Sequence, residues 1–154
     1  MTDKLTVVIT DTSCFIILEK LQALHLLPQL FGNIITTPEI AAEYGNPLPD
    51  WVNIQTVTNT ELQQQLAQQV DPGEASAIAL AAEIDCDYLL TDDKDARKLA
   101  AKRGIAIKGS GGVLLLAKEL GAIPLLKPYL EKMQQTNFRI SSQLIEALLR
   151  DAGE

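Results

Sequence analysis

The chain has 154 residues, 47% hydrophobic and 21% charged, which suits one globular domain over residues 1–154 with a substantial core. Its net charge of −7 argues against a protein that coats DNA broadly, a task that needs a basic surface. The apolar runs are too short to span a bilayer and no charged start precedes a long apolar block, so a cytoplasmic protein with no membrane partner is expected. Cys14 and Cys86 lie in apolar context without metal-ligand spacing and are expected to be buried, reduced thiols. His25 is the single histidine, which argues against histidine-based catalysis and a multi-histidine zinc site.

Val7-Val8-Ile9-Thr10 is an apolar run of the kind buried on both faces of a parallel sheet. Asp11-Thr12-Ser13 follows, so a carboxylate stands where open α/β sheets bind ligands, beyond the carboxyl end of a strand. Asp11 is equally suited to capping the next helix, which runs from Ser13 to Gln22 with Phe15, Ile16, Leu18 and Leu21 at helical spacing. A short helix is expected over about Leu24 to Phe31, stopped by Gly32, and then a strand over Asn33 to Thr36. Thr37-Pro38-Glu39 starts a further helix by rule, with Thr as cap and Pro at the first position. Glu39 and Glu43 share a face of it; Glu43 taken alone also suits a solvated surface.

Gly45 to Asp50 reads as a loop and Trp51 to Val57 as extended, with Ile54 and Val57 its clearest apolar points. Thr60 to Val70 is a polar helix striped by Leu62, Leu66 and Val70, its glutamines forming a solvated face. Asp71-Pro72-Gly73-Glu74 opens a helix to Ile84 that is apolar nearly all round and therefore buried. Glu74 fits the third position of a capping box with Asp71 as the cap, but it also lies near the ligand-binding rim of the sheet.

Asp87 to Thr91 is the second clear core strand, and Asp92-Asp93 follows it directly. Two adjacent acids are more than one helix cap requires. The helix after them runs to Arg103 and stops at Gly104. Ile105 to Ile107 is a short strand and Lys108 to Gly112 a flexible turn, which lacks the Gly-Lys-Thr/Ser ending of a phosphate loop. Val113 to Leu120, Leu125 to Gln134 and Ser141 to Leu149 complete the chain as helices, about residues 113–150. The alternation gives an α/β fold, a three-layer α/β/α sandwich around a mainly parallel sheet.

Asp11, Glu43, Glu74, Asp92 and Asp93 are thus acids at strand ends or on helices next to them. Two carboxylates about 4 Å apart repel by roughly 4 kcal/mol at an effective dielectric of about 20, so a pocket that gathers them takes up protons or cations. All-oxygen sites suit Mg²⁺ or Mn²⁺, and such ions can activate water for phosphoryl displacement. From the residues alone, the reading is a metal-dependent phosphoryl hydrolase.

Five stretches carry a resemblance. They are Asp11-Thr12-Ser13, Leu27-Pro28-Gln29-Leu30-Phe31, Pro38-Glu39-Ile40-Ala41-Ala42-Glu43, Pro72-Gly73-Glu74-Ala75 with Ala77 to Ala81, and Leu89-Leu90-Thr91-Asp92-Asp93 with Arg97. Gly109 to Lys118 adds to them. In this order the chain resembles PIN-domain proteins, in particular the short prokaryotic branch related to VapC toxins.

That resemblance implies a ribonuclease cutting RNA through Mg²⁺ or Mn²⁺ and water, paired with a small antitoxin and commonly homodimeric. It puts an acidic quartet, catalytic and metal-holding, at Asp11, Glu43, Glu74 and either Asp92 or Asp93. The family's Thr-x-Asp spacing from Thr91 selects Asp93, and the adjacent pair keeps Asp92 open. Glu74 stands where Asp is commoner, and Ser13 can support Asp11. Lys94, Arg97, Lys98, Lys102, Arg103 and Lys108 are either a phosphate path beside the acids or a solvated helix face balanced by Asp93 and Asp95. The alternatives are a PIN-like module without activity that serves protein binding, and a receiver-type phosphoacceptor domain with Lys108 after its last strand. A haloacid-dehalogenase-type phosphatase is disfavoured by Ser at position 13.

Overall fold

A computed structural model describes residues 6–154. The first five residues, and with them the amino end of the expected domain and of the expected leaderless start, lie outside the described residues. The strands are β1 (Val7–Thr10), β2 (Asn33–Thr36), β3 (Val52–Ile54), β4 (Tyr88–Leu90) and β5 (Ile107–Lys108). They form one sheet in the order β3-β2-β1-β4-β5, and every pairing is parallel. The central strands are the most apolar, because only they are covered on both faces. Val8 and Ile9 of β1 and Leu90 of β4 are fully buried or nearly so.

The helices are α1 (Thr12–Lys20), α2 (Leu26–Leu30), α3 (Pro38–Tyr44), α4 (Thr60–Leu66), α5 (Pro72–Glu83), α6 (Lys94–Lys102), α7 (Ser110–Glu119), α8 (Lys127–Gln134) and α9 (Ser142–Asp151). Helix α5 packs on β1 and β4, flanked by α4 and α6, while α2 lies against β2 and α7 against β5, with α1 joining α7. The result is the expected three-layer α/β/α sandwich. Residues 73 to 81 of α5 are all buried, which explains why its sequence lacks a polar face. Helix α3 touches both α1 and α5, an arrangement that carries Glu43 to the rim where those two helices begin. Among the described residues no helix is long and apolar enough to cross a membrane.

Three local expectations are corrected. The extended segment after Trp51 contributes only Val52–Ile54 to the sheet, and Ile54 is 53% exposed because β3 is an edge strand. The glycine-rich Ser110-Gly111-Gly112 is no flexible turn but the first turn of α7. Cβ atoms at Gly111 and Gly112 would stand 2.9 Å from Leu148 Cδ1 and 2.8 Å from Lys108 Cγ, so these glycines serve close packing. Cys14 is buried, whereas Cys86 is only half-buried.

Candidate active site

The chain builds β1, β2 and β3 outward in one direction and then returns to lay β4 on the other side of β1. Strand order therefore reverses between β1 and β4, and the crevice beyond their carboxyl ends is where a parallel sheet receives ligands. Asp11 follows β1 directly, and its N–H donates to the Leu90 carbonyl at the end of β4 (2.9 Å). Asp92 and Asp93 leave the same end of β4.

Asp11 is 2% exposed. Its Oδ1 accepts from the Thr12 N–H (2.7 Å) as the cap of α1, and its Oδ2 accepts from the Thr91 hydroxyl (2.7 Å). The two readings of this residue are thus compatible, since capping uses a single oxygen. Burial pushes its carboxyl from 3.8 up to about 6 against the pull of those two hydrogen bonds, and the charges of Asp71 and Glu43 add to the rise.

Glu74 is the third residue of α5 and 9% exposed. It closes the expected capping box: its N–H donates to Asp71 Oδ1 (2.9 Å) and its Oε1 accepts from the Asp71 N–H (3.3 Å). Burial, followed by the charges of Asp11, Asp71 and Asp93, pushes its carboxyl up to about 8. Glu43, exposed in the last turn of α3, accepts from the Thr12 hydroxyl through Oε1 (2.5 Å). A Cβ on Gly73 would stand 2.7 Å from that same oxygen, so glycine at this position lets the carboxylate lie against the start of α5. Asp93 caps α6 by accepting from the Ala96 N–H (2.9 Å) and donates its own N–H to Thr91 Oγ1 (3.2 Å). The Thr91 hydroxyl therefore links Asp93 to Asp11.

Asp92 turns the other way. Its N–H donates to Ser13 Oγ (3.0 Å), its Oδ1 accepts from the Ser110 N–H (2.8 Å), and its Oδ2 accepts from the Ser110 hydroxyl. Burial raises its pKa, and the Ser110 bonds and the Arg97 charge oppose that rise. Ser13 thus supports the Asp92 peptide rather than Asp11. The structure brings Asp11, Glu43, Glu74 and Asp93 into mutual influence and commits Asp92 to the start of α7.

Sequence reasoning missed Asp71, whose charge bears on both Asp11 and Glu74; the capping box had accounted for it completely. It also missed Thr12 as the hydroxyl that holds Glu43. The repeated strand-Thr-acid pattern was the available signal for Thr91. The expected basic path is divided: Lys94, Arg97 and Lys108 line a cavity with Asp92, while Lys98 and Lys102 line a smaller hollow with Asp95.

As the side chains lie, no group of three or more His, Cys, Asp or Glu among the described residues stands at metal-holding spacing. The donor set itself fits a hard divalent cation. It is all carboxylate, and burial, reinforced by neighbouring charge, lifts two of its members to about 6 and about 8.

A PIN-domain family model (DUF3368) matches residues 7–154. The chain belongs to the PIN-domain family. No curated protein matches it. PIN domains are in general nucleases of the hydrolase class that work with divalent metals, and membership removes the receiver and phosphatase alternatives. The expected fold class stands with it, down to the parallel sheet.

Proposed function

We propose that this PIN-domain protein is a metal-dependent endoribonuclease that hydrolyses RNA phosphodiester bonds with Mg²⁺ or Mn²⁺. The reading is carried by the convergence of Asp11, Glu43, Glu74 and Asp93 beyond β1 and β4, expressed in the raised carboxyls of Asp11 and Glu74. Asp93 is the fourth carboxylate of this reading, since its charge bears on Glu74 whereas Asp92 is held by Ser110 near Arg97.

A divalent cation bound there supplies charge neutralisation at the phosphoryl oxygens and activation of the attacking water. The protein's part is to hold the acids in place. Thr91 fixes one oxygen of Asp11, Thr12 fixes one oxygen of Glu43, and the capping box fixes Glu74. The acids so held share a crevice in which mutual repulsion favours a cation over separate charges. The likeness to the VapC-related branch extends the proposal to the toxin of a toxin–antitoxin pair, acting in the cytoplasm as a homodimer and held in check by a small antitoxin.

The deciding experiment is cleavage of labelled RNA with Mg²⁺ or Mn²⁺, comparing wild type with Asp11→Asn. Cleavage that needs the metal and disappears in the variant is expected; metal-independent cleavage, or equal activity in the variant, would overturn the proposal. Among the described residues no three-carboxylate cage stands ready, which favours one second reading, a PIN module without activity that binds protein. Calorimetric titration with Mn²⁺ separates the two, because that module shows no uptake that Asp11→Asn removes.

A further inference from the structure

Beside the acids, on the far side of Asp92, lies a cavity of about 460 Å³ between α6, the start of α7 and the segment leading into α9. It falls within the size range of small-molecule sites, roughly 300 to 1,000 Å³. Lys94, Arg97, Lys108 and Arg139 contribute cations to its lining. Asp92 is the single carboxylate there, and both its oxygens are already taken by Ser110. In a chain of net charge −7, this is a concentrated positive lining. A concave site of one sign focuses field on a charged ligand.

The cations surround an apolar wall. Half-buried Phe138 and Ile140 line it with Leu144, which is 48% exposed. Arg97 is anchored at the inner end, where its Nη1 donates to the Thr91 carbonyl (3.1 Å). Glycine at position 109 makes room for it, since a Cβ there would stand 2.7 Å from Arg97 Nη1 and 2.8 Å from Asp92 Oδ1. Lys108 lies across the face of Tyr88, its Nζ 4.6 Å from the ring centre.

We propose that this cavity receives one unstacked nucleotide of a single-stranded RNA, its base against Phe138 and its phosphate among Arg139, Arg97 and Lys108. Cations alone would suit any acidic partner; cations around an aromatic, apolar wall suit a ligand with a flat ring and a phosphate on one unit. Single-stranded RNA is read in this way, by stacking on aromatic side chains and by basic groups along its backbone. The cavity is also next to the acids: the Asp92 N–H bonds to Ser13, two residues beyond Asp11. The identity of the ligand as substrate rests on the ribonuclease proposal. The cavity then holds one nucleotide of the strand close to the cleaved bond.

The test is binding of a short labelled single-stranded RNA by fluorescence anisotropy in EDTA, so that no cleavage enters the readout. Phe138→Ala is expected to weaken binding about tenfold, within the range for loss of one base–aromatic stack. Arg139→Gln is expected to weaken it about fivefold and to lower the salt dependence by about one phosphate contact. Lys132→Gln, at an exposed cation on α8 that does not line the cavity, is expected to bind as wild type. Arg139 is exposed, so its variant keeps the test valid even if Phe138→Ala proves unstable.

Unchanged affinity in both cavity variants, or no RNA binding by wild type, overturns the assignment. So does a polyglutamate peptide that competes as well as RNA, since charge would then suffice. A mononucleotide that binds as tightly as the oligomer also overturns it, in favour of an effector site. Failure of the nuclease proposal is read separately, as lack of metal-dependent cleavage by a protein that still binds RNA through Phe138.

Discussion

At the end of β4 the chain divides two neighbouring aspartates between regions of opposite electrical character. Asp93 bears on Glu74 together with Asp11 and Asp71, in a set where burial first and the acids' mutual charge second raise two carboxyls. Asp92, one residue earlier, is bound on both oxygens by Ser110 and lies near the charge of Arg97; both oppose the rise that burial imposes on it. The first arrangement gathers buried carboxyls whose ionisation costs stability; the second ties Asp92 to the start of α7 and lines a basic cavity. Identical side chains one residue apart thus do unlike work, and partners far away in sequence decide which.

Four measurements would break or sharpen this contrast. The largest expected effect is that of Asp11→Asn. It should lower RNA cleavage by about a thousandfold, the upper range for loss of one electrostatic group in an active site. The same variant should melt higher than wild type at pH 8 without metal, because it deletes a buried charge. If it melts lower instead, the charge of Asp11 is stabilising where it lies, since asparagine caps a helix as well as aspartate, and the contrast with Asp92 fails.

Next comes pH. The folded protein holds protons on Asp11 up to about pH 6 and on Glu74 up to about pH 8, above their unfolded values of 3.8 and 4.5. Folded chains therefore bind more protons than unfolded ones in this window, so stability falls as pH rises from about 4 towards 8. Asp11 alone accounts for about 3 kcal/mol of that fall. Thermal melts in EDTA should show the decline, and Mg²⁺ or Mn²⁺ should reverse it at pH 8; a flat profile in EDTA would show that burial and neighbouring charge do not raise these carboxyls.

Asp92→Ala should cost about 2 kcal/mol, leaving the Ser110 N–H and hydroxyl unpaired, or some 4 to 8 °C in melting temperature for a domain of this size. This loss should be nearly independent of added metal. Rescue by Mg²⁺ would place Asp92 with the other acids. The smallest effect is that of Gly73→Ala, where the new methyl must push Glu43 aside. Cleavage should drop about tenfold while stability stays within about 1 kcal/mol, since alanine favours the helix interior. Unchanged cleavage would remove Glu43 from the machinery.

Much of this was legible in the chain. Central strands announce themselves by runs such as Val7-Val8-Ile9, because both faces are covered. Helix starts at Thr37, Asp71 and Ser141 follow from local capping chemistry, and each side chain accepts the hydrogen bond that its type suggests. The failures have non-local causes. Ser110-Gly111-Gly112 reads as a turn because its capping carboxylate comes from Asp92, 18 residues earlier. Helix α8 starts at Lys127 rather than Leu125, and the N–H groups of Leu126 and Lys127 are met by the Glu154 carboxylate. Two adjacent letters could not show that Asp92 is held by Ser13 and Ser110 while Asp93 caps α6, because those serines lie far away in sequence.

The central position of β1 has a further consequence, for the order in which the molecule matures during synthesis. Pairing of β1 with β2 joins residues 26 apart, as Val7 with Asn33, whereas pairing with β4 joins residues 80 apart, as Val8 with Tyr88. The crevice is walled on one side by each pairing, so a ribosome-bound fragment ending before Tyr88 holds Asp11, Glu43 and Glu74 but neither Asp93 nor the Thr91 hydroxyl that ties Asp11 down. Closing that long loop is the slow step in such topologies. The emerging chain therefore stays without a finished site until more than half of it has been made, and nuclease activity becomes a direct report of completed folding.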